Sequence, residues 1–182
     1  MLNDDDKAWL REAYPRLSPA SDEISGVVDF TGTYNGESDH FQVLYDDSDD
    51  EVGGLRLKGN FAIRLKPRTE TSLSKLPALY VLDVKPIDDR HFSRVDQSAC
   101  LCSPFEEEEF LVGGLAFIPF FEQLIIPFLY GQVFFSQYRR WPWGEYAHGA
   151  VGLLEGYAEI RDPLRAEECW NKLKLDAKAW PD

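Results

Sequence analysis

The chain has 182 residues, of which 44% are hydrophobic and 14% aromatic, so it is long enough and apolar enough to form one buried core. This composition excludes a disordered protein, whose low apolar content could not offset the entropy lost on folding. Acidic residues outnumber basic ones by 32 to 19, and the net charge of −13 would repel nucleic acid and anionic lipid. We therefore predict a single domain over residues 1–182 that binds neither nucleic acid nor a membrane.

The number of cysteines and the N-terminal residues indicate the cellular compartment in which the protein folds. The chain has three cysteines, an odd number, and its first residues, MLNDDDKAW, lack the basic and apolar regions of a secretion signal. Both features favour a reducing cytoplasm. Two closely spaced cysteines and three scattered histidines do not supply the ligand spacings of a zinc site, and no phosphate-binding or dinucleotide-binding glycine motif occurs. We expect no metal and no cofactor.

Residues 3–17 predict an amphipathic N-terminal helix. Asn3 or Asp4 can serve as the N-cap, acidic residues follow in the first turn, and apolar residues recur at helical spacing. The helix should end at Pro15, because proline disfavours helix in the residue before it.

Four segments then predict β-strands. Apolar residues alternate with polar ones around residues 28–30 and 41–45, with the turn signal Asn35–Gly36 between them. The alternation is clearest over residues 55–66, and a short apolar run at residues 79–84 predicts one more strand. Together these segments predict a four-stranded antiparallel meander.

Two stretches interrupt the pattern. The acidic run at residues 46–51 favours a solvated loop over a metal site, because its charges repel one another. Residues 88–105 show no sustained period and contain His91, Cys100 and Cys102. Irregular segments held on a rigid scaffold often carry the chemistry of a protein.

The apolar segment at residues 110–135 is long enough to cross a bilayer. Glu122 near its centre and Pro119 and Pro127 argue against insertion, so we predict a buried core helix over residues 120–138, broken or kinked near Pro127. Its core-facing residues are predicted to be Phe117, Phe121, Leu124, Ile125, Phe128 and Leu129.

Further helices are predicted at residues 150–160 and from Asp162, an N-cap followed by Pro163 at the first helical position. The predicted fold class is therefore α+β, with the N-terminal helix on one side of the sheet and the C-terminal helices on the other.

Cysteine is the remaining candidate nucleophile, because no serine-hydrolase signature occurs. Cys100 lies in SACLCSP after the strands, where a thiol can face solvent, although a free cysteine is often a small buried hydrophobe. Cys102 is an ordinary loop cysteine, a back-up thiol or the partner of Cys100 in a strained disulfide. Cys169 lies in the last predicted helix and is expected to pack.

The order of these parts resembles the ubiquitin-conjugating enzymes. In that family an N-terminal helix and a meander precede a proline-marked strand, a His-Pro-Asn stretch and a Cys-Leu pair. Here Leu76–Pro77, the run ALYVLDV, His91, Asp96 and Cys100–Leu101 follow in that order.

A second block resembles the bacterial ubiquitin-conjugating-like proteins. Their post-cysteine region has a Pro-Phe-Leu and Gln pattern followed by a Trp-Pro-x-Gly-Glu-x-x-His-Gly block. This chain has Pro127, Phe128, Leu129 and Gln132, and then WPWGEYAHGAVGLLEGY at residues 141–157. Members of this group often lie in antiphage (CBASS-type) operons beside a cGAS-like nucleotidyltransferase.

The resemblance implies a function and a set of roles. Cys100 would hold the C-terminus of a partner as a thioester, the partner being the nucleotidyltransferase or a ubiquitin-like protein. His91 and His148 would assist, although a lone histidine beside glycines is often structural. Glu145 would orient His148 or cap a helix. A separate activating enzyme is implied, because these residues contain no adenylating motif.

One departure from the family leaves a second function open. Phe92–Ser93 stands where the family has Pro-Asn, so the asparagine that stabilises the oxyanion is missing. The alternative is a catalytically weak or inactive module that binds and regulates the nucleotidyltransferase. Trp141 and Trp143 are expected to pack in the core, with contact to a partner peptide as the alternative. A membrane-inserted effector is the third possibility.

Overall fold

The structure, a computed structural model, describes residues 2–45, 53–69, 74–87 and 90–143, together with residues 164, 167 and 171. It combines helices with an antiparallel sheet of five strands, as the predicted α+β class requires. In chain order the elements are α1 (Asp4–Ala13), β1 (Leu17–Pro19), β2 (Ile24–Asn35), β3 (His40–Leu44), β4 (Leu55–Lys66), β5 (Ala78–Val81), α2 (Pro104–Phe110), α3 (Phe117–Phe120), a π-helical turn (Phe121–Ile125) and α4 (Ile126–Tyr138).

The sheet is built around β2. Its 12 residues pair along one edge with β1 and then with β3, and along the other edge with β4, which in turn pairs with β5. The predicted four-stranded meander is therefore wrong, because there are five strands and the chain crosses from β3 to the opposite edge of β2. The strand β1 was not predicted, because it has only three residues and its last two are exposed.

The N-terminal helix begins as predicted. Asn3 is its N-cap, and its side chain accepts a hydrogen bond from the backbone N–H of Asp6 at 2.8 Å, while Asp6 accepts one from the N–H of Asn3 at 3.1 Å. The helix ends at Ala13, two residues before Pro15.

The described apolar helical segment that begins at Phe117 contacts α1 and lies on the same side of the sheet, so its predicted placement on the opposite side is wrong. The ring of Trp9 in α1 lies 6.2 Å from that of Phe117 and 5.7 Å from that of Phe121. These helices cover the sheet face that carries Val28, Ile63 and their apolar neighbours, because burial of that face contributes most to folding.

The apolar helical segment runs from Phe117 to Tyr138. Of the 18 consecutive residues with the highest mean hydropathy in this segment, 61% are buried inside the protein. By length and composition alone the segment could cross a membrane, but this burial is what a core helix shows. Five of the six residues predicted to face the core are at most 5% exposed, and Leu124 is partly buried.

The predicted break near Pro127 is a π-helical turn, Phe121–Ile125, followed directly by α4. Proline has no backbone N–H to donate to the preceding turn, and a wider turn accommodates that loss. Glu122 lies in the π-helical turn and accepts a hydrogen bond from the Tyr45 hydroxyl, so the carboxylate within the apolar segment is paired with the sheet.

Beyond residue 143 the structure describes residues 164, 167 and 171, all helical, which agrees with a last helix after Pro163. The helix predicted at residues 150–160 lies outside the described residues.

Candidate functional site

Cys100 is exposed at the end of the segment that follows β5. Two backbone hydrogen bonds hold this position. The N–H of Ala99 donates to the carbonyl of Leu79 in β5 at 2.7 Å, and the N–H of Cys100 donates to the carbonyl of His91 at 2.8 Å. An exposed thiol on a backbone tied to the sheet suits a nucleophile, because its position is fixed while its sulfur stays accessible.

Residues 91–100 form a short hairpin, although the sequence predicted only an irregular stretch. A β-bridge pairs Phe92 with Ala99, and the N–H of Ser93 donates to the carbonyl of Ser98 at 2.8 Å. This register sets His91 opposite Cys100. The two residues that the family resemblance singles out are thus brought together by backbone pairing.

Hydrogen bonds among Arg68, Asp96 and Ser98 stabilise the tip of this hairpin. Arg68, in the chain after β4, donates to the Asp96 carboxylate and to the Ser98 hydroxyl, each at 2.8 Å. Asp96 also accepts from the Ser98 backbone at 3.2 Å and from its hydroxyl at 2.8 Å. Partial burial would raise the pKa of Asp96, but the hydrogen bonds from Ser98, Ser93 and Arg68 outweigh it and lower the pKa to about 2.

We expect this network to make stability depend on acid pH. The folded-state pKa of Asp96 lies below the unfolded value, so its contribution is present above about pH 4 and is lost as the pH falls towards 2. Asp96→Asn should lower the free energy of unfolding by about 1 kcal/mol at pH 6, after allowance for solvent screening. Urea unfolding at pH 6 and pH 2.5 measures this difference, which should fall to about a third of its pH 6 value at the lower pH, because the folded-state pKa is about 2. The exposed Asp22→Asn is the control, and an equal loss at both pH values would contradict the assignment.

Two residues of the hairpin have left-handed backbones without being glycine. His91 has φ 56° and Gln97 has φ 62°. Such conformations are uncommon in residues with a side chain and persist where the surroundings hold them. The His91 ring packs edge-on against Trp141, with ring centroids 4.5 Å apart. His91 is therefore anchored through both its backbone and its ring.

Cys102 differs from Cys100 in its surroundings. Its side chain is partly buried and packs against the core. Burial raises the pKa of its thiol to about 12, and the charges of Glu106 and Glu107 add to the shift. Because the thiolate is the reactive form, these surroundings disfavour a back-up nucleophile at Cys102. Within the described part of the chain, Cys100 and Cys102 are not joined in the disulfide that the sequence allowed.

The acidic residues 106–109 belong to α2. Ser103 is its N-cap, and Glu106 accepts hydrogen bonds from the Ser103 N–H and hydroxyl, each at 2.7 Å. Glu107 accepts one from the backbone of Lys75. Two of the acids next to the cysteine segment are therefore engaged in local structure.

The positions that replace Pro-Asn supply no equivalent of the missing asparagine. Phe92 is 4% exposed and packs edge-on against Phe128 at 5.5 Å. The Ser93 hydroxyl accepts hydrogen bonds from the backbone of Val95 and Asp96. Another donor would have to stabilise an oxyanion at Cys100.

Several predicted site residues cannot be placed beside Cys100. His148, Glu145 and Cys169 lie outside the described residues. Trp141 is 8% exposed and touches Gly131, where a Cβ would lie 2.2 Å from the indole, and Trp143 stacks on Tyr130 at 6.2 Å. The predicted packing role of both tryptophans is confirmed. Among the described residues, no group of three His, Cys, Asp or Glu side chains could hold a metal ion.

The sequence assigned no role at the hairpin to three residues that hold it: Arg68, Arg90 and the buried Gln132, the last of which was named only as part of the family-like pattern. The sequence does give an indication at Gln132, because a polar residue within an apolar helix is expected to form a buried hydrogen bond. The arginines gave none, since basic residues in loops are ordinarily solvated.

Comparison of the chain with protein-family models, with curated proteins and with solved structures gave no match. The function is therefore inferred from the residues of this chain and from their arrangement around Cys100.

Proposed function

We propose that the protein is a cysteine-dependent acyl transferase that carries the C-terminus of a partner protein as a thioester on Cys100. The observation that carries this proposal is the exposed Cys100 at the end of a braced hairpin, directly opposite His91. Its further support is the resemblance to ubiquitin-conjugating enzymes in the order of strand, histidine and Cys-Leu. The finer description of the fold as ubiquitin-conjugating-like belongs to the same proposal.

The chemistry consists of two acyl transfers. The Cys100 thiolate attacks the carbonyl carbon of an activated C-terminus, such as an acyl adenylate, a carbon–sulfur bond forms, and AMP leaves. A neutral amine then attacks the thioester, the carbon–sulfur bond breaks as the amide bond forms, the amine nitrogen loses one proton to water, and Cys100 leaves as the thiolate. Activation needs ATP and a separate activating enzyme, because the chain has no nucleotide-binding motif.

The partner follows from the second resemblance. Bacterial ubiquitin-conjugating-like proteins act beside cGAS-like nucleotidyltransferases, whose C-terminus is the proposed acyl group here, with a ubiquitin-like protein as the alternative donor. The proposed setting is antiphage defence in the cytoplasm, where thiols remain reduced.

A peptide thioester tests the chemistry without the activating enzyme. The purified protein is incubated with a peptide whose C-terminal glycine is a thioester of a small thiol, so that thioester exchange can load Cys100. We expect a mass increase equal to the acyl group, reversal by excess thiol, and discharge to an amide when lysine is added.

The matched control is the free peptide SACLCSP, residues 98–104 of this chain. The folded protein should load and discharge at least tenfold faster than this peptide, because the hairpin holds the thiol in place. Equal rates for the two, or no adduct on the protein, would overturn the proposal.

One observation favours the second candidate, a binding module that regulates the nucleotidyltransferase. Phe92 is buried and the Ser93 hydroxyl is engaged within its own turn, so neither replaces the oxyanion donor. Under this alternative, Cys100→Ala would retain both the complex and the biological activity. Under the enzyme proposal it keeps the complex and loses activity.

A further inference from the structure

Gln132 is an amide inside an apolar helix. Its side chain is 0% exposed, and its Nε2 donates a hydrogen bond to the backbone carbonyl of Arg90 at 2.9 Å. Its Oε1 has no hydrogen-bond partner within the described part of the chain. A buried polar group is unfavourable unless it is paired, and a leucine would fill a similar volume without that cost. The bond to Arg90 is therefore what a glutamine adds at this position.

The side chain of Arg90 also binds α4, and we call the hydrogen bonds of Arg90 with Gln132 and Ser136 the clamp. Its Nη2 donates to the carbonyl of Gln132 at 3.1 Å and to the Ser136 hydroxyl at 2.6 Å. Its guanidinium lies over the ring of Phe135, 5.4 Å from the centroid. The residue before His91 is thus held to one turn of α4 by its carbonyl and by its side chain.

The clamp adjoins the backbone that faces Cys100. His91 follows Arg90, has a left-handed backbone, and accepts the hydrogen bond from the Cys100 N–H. A left-handed histidine needs outside restraint, and the hydrogen bonds of Arg90 to α4 restrain the backbone directly before it, in addition to the contact of the His91 ring with Trp141.

We propose that Gln132 and Arg90 are positioning residues that hold the His91 strand against α4 and so fix Cys100 for acyl transfer. The proposal rests on the proposed function for the transfer step, but the placement of Cys100 can be measured independently.

Two variants test the clamp. Gln132→Leu removes the bond to the Arg90 carbonyl and keeps most of the volume, and Arg90→Met removes the guanidinium and keeps a stem over Phe135. Arg90 is only partly buried, so its variant tests the clamp even where Gln132→Leu unfolds. Gln137→Leu, at an exposed glutamine of the same helix, is the matched control.

The first measurement is hydrogen exchange of backbone amides in the full chain. In Gln132→Leu and Arg90→Met we expect the Cys100 amide to exchange at least tenfold faster, with the amides of β4 within twofold of the wild type. Gln137→Leu should exchange as the wild type does. A Cys100 amide unchanged in folded protein of both clamp variants would overturn the inference.

The second measurement is loading by the peptide thioester. We expect the rate constant at saturating thioester to fall at least tenfold in the clamp variants, with the half-saturating concentration unchanged within twofold. Faster amide exchange with unchanged loading would overturn the role in transfer. A wild-type protein that forms no Cys100 thioester overturns the proposed function instead, and hydrogen exchange then decides whether the clamp positions Cys100.

Discussion

Cys100→Ala should abolish the thiol-sensitive acyl adduct, while Cys102→Ser should retain it within about threefold. The reason is the difference in surroundings, since Cys100 is exposed and Cys102 is partly buried with a pKa raised to about 12. A thiol with that pKa is ionised to roughly one part in 100,000 at pH 7, against a few per cent for an ordinary thiol. Intact mass after incubation with the peptide thioester measures the adduct, and peptide mapping locates it.

The two substitutions control for each other, because the cysteines are two residues apart. An adduct that survives Cys100→Ala and disappears in Cys102→Ser would show that the family register is displaced by two residues. An adduct insensitive to both substitutions would remove these thiols from the mechanism.

Phe121→Ala should lower the free energy of unfolding by about 3–5 kcal/mol, because it opens a cavity in the core. Phe121 is 0% exposed, and its ring lies 4.7 Å from that of Tyr14 and 5.7 Å from that of Trp9. It therefore joins α1 to the apolar helical segment. Urea unfolding followed by circular dichroism measures the loss in the detergent-free protein.

Val112→Ala is the control for Phe121→Ala, since Val112 is 83% exposed and its truncation should change stability by no more than about 0.5 kcal/mol. A loss below about 1 kcal/mol for Phe121→Ala would mean that the segment is not the core of the soluble fold. That result would favour the alternative in which the apolar segment inserts into a membrane.

Local patterns were sufficient for the elements with strong signals. The N-cap at Asn3, the alternation that became β4 and the apolar segment that became the core helix each depend on neighbouring residues. In each case the controlling interactions lie within one or two turns or along one strand. The exposure of Cys100 was left open, because a free cysteine in an irregular segment can face solvent or be buried, and the structure shows that it is exposed.

Strand neighbours and the sides of the sheet depended on the tertiary structure. The sequence marks β3 and β4 as consecutive strands, yet β4 pairs with β2 along 11 positions, and nothing in either strand alone specifies that partner. The position of α3 and the π-helical turn beside α1 is likewise decided by aromatic contacts such as that of Trp9 with Phe121. These contacts join residues more than a hundred positions apart.

The site shows the same division. Cys100, His91 and Asp96 were identified from the chain, because they stand in an order that resembles a known family. Their pairing as a hairpin was not predicted, because residues 91–100 show no alternation of apolar and polar residues that would mark it. The hydrogen bonds of Arg68 and of Gln132 with Arg90 were not predicted either, since they join residues 28 and 42 positions apart. The sequence by itself determined which groups are candidates for the site, and only the tertiary structure decided how they are held, because a hydrogen bond requires positions that only packing sets.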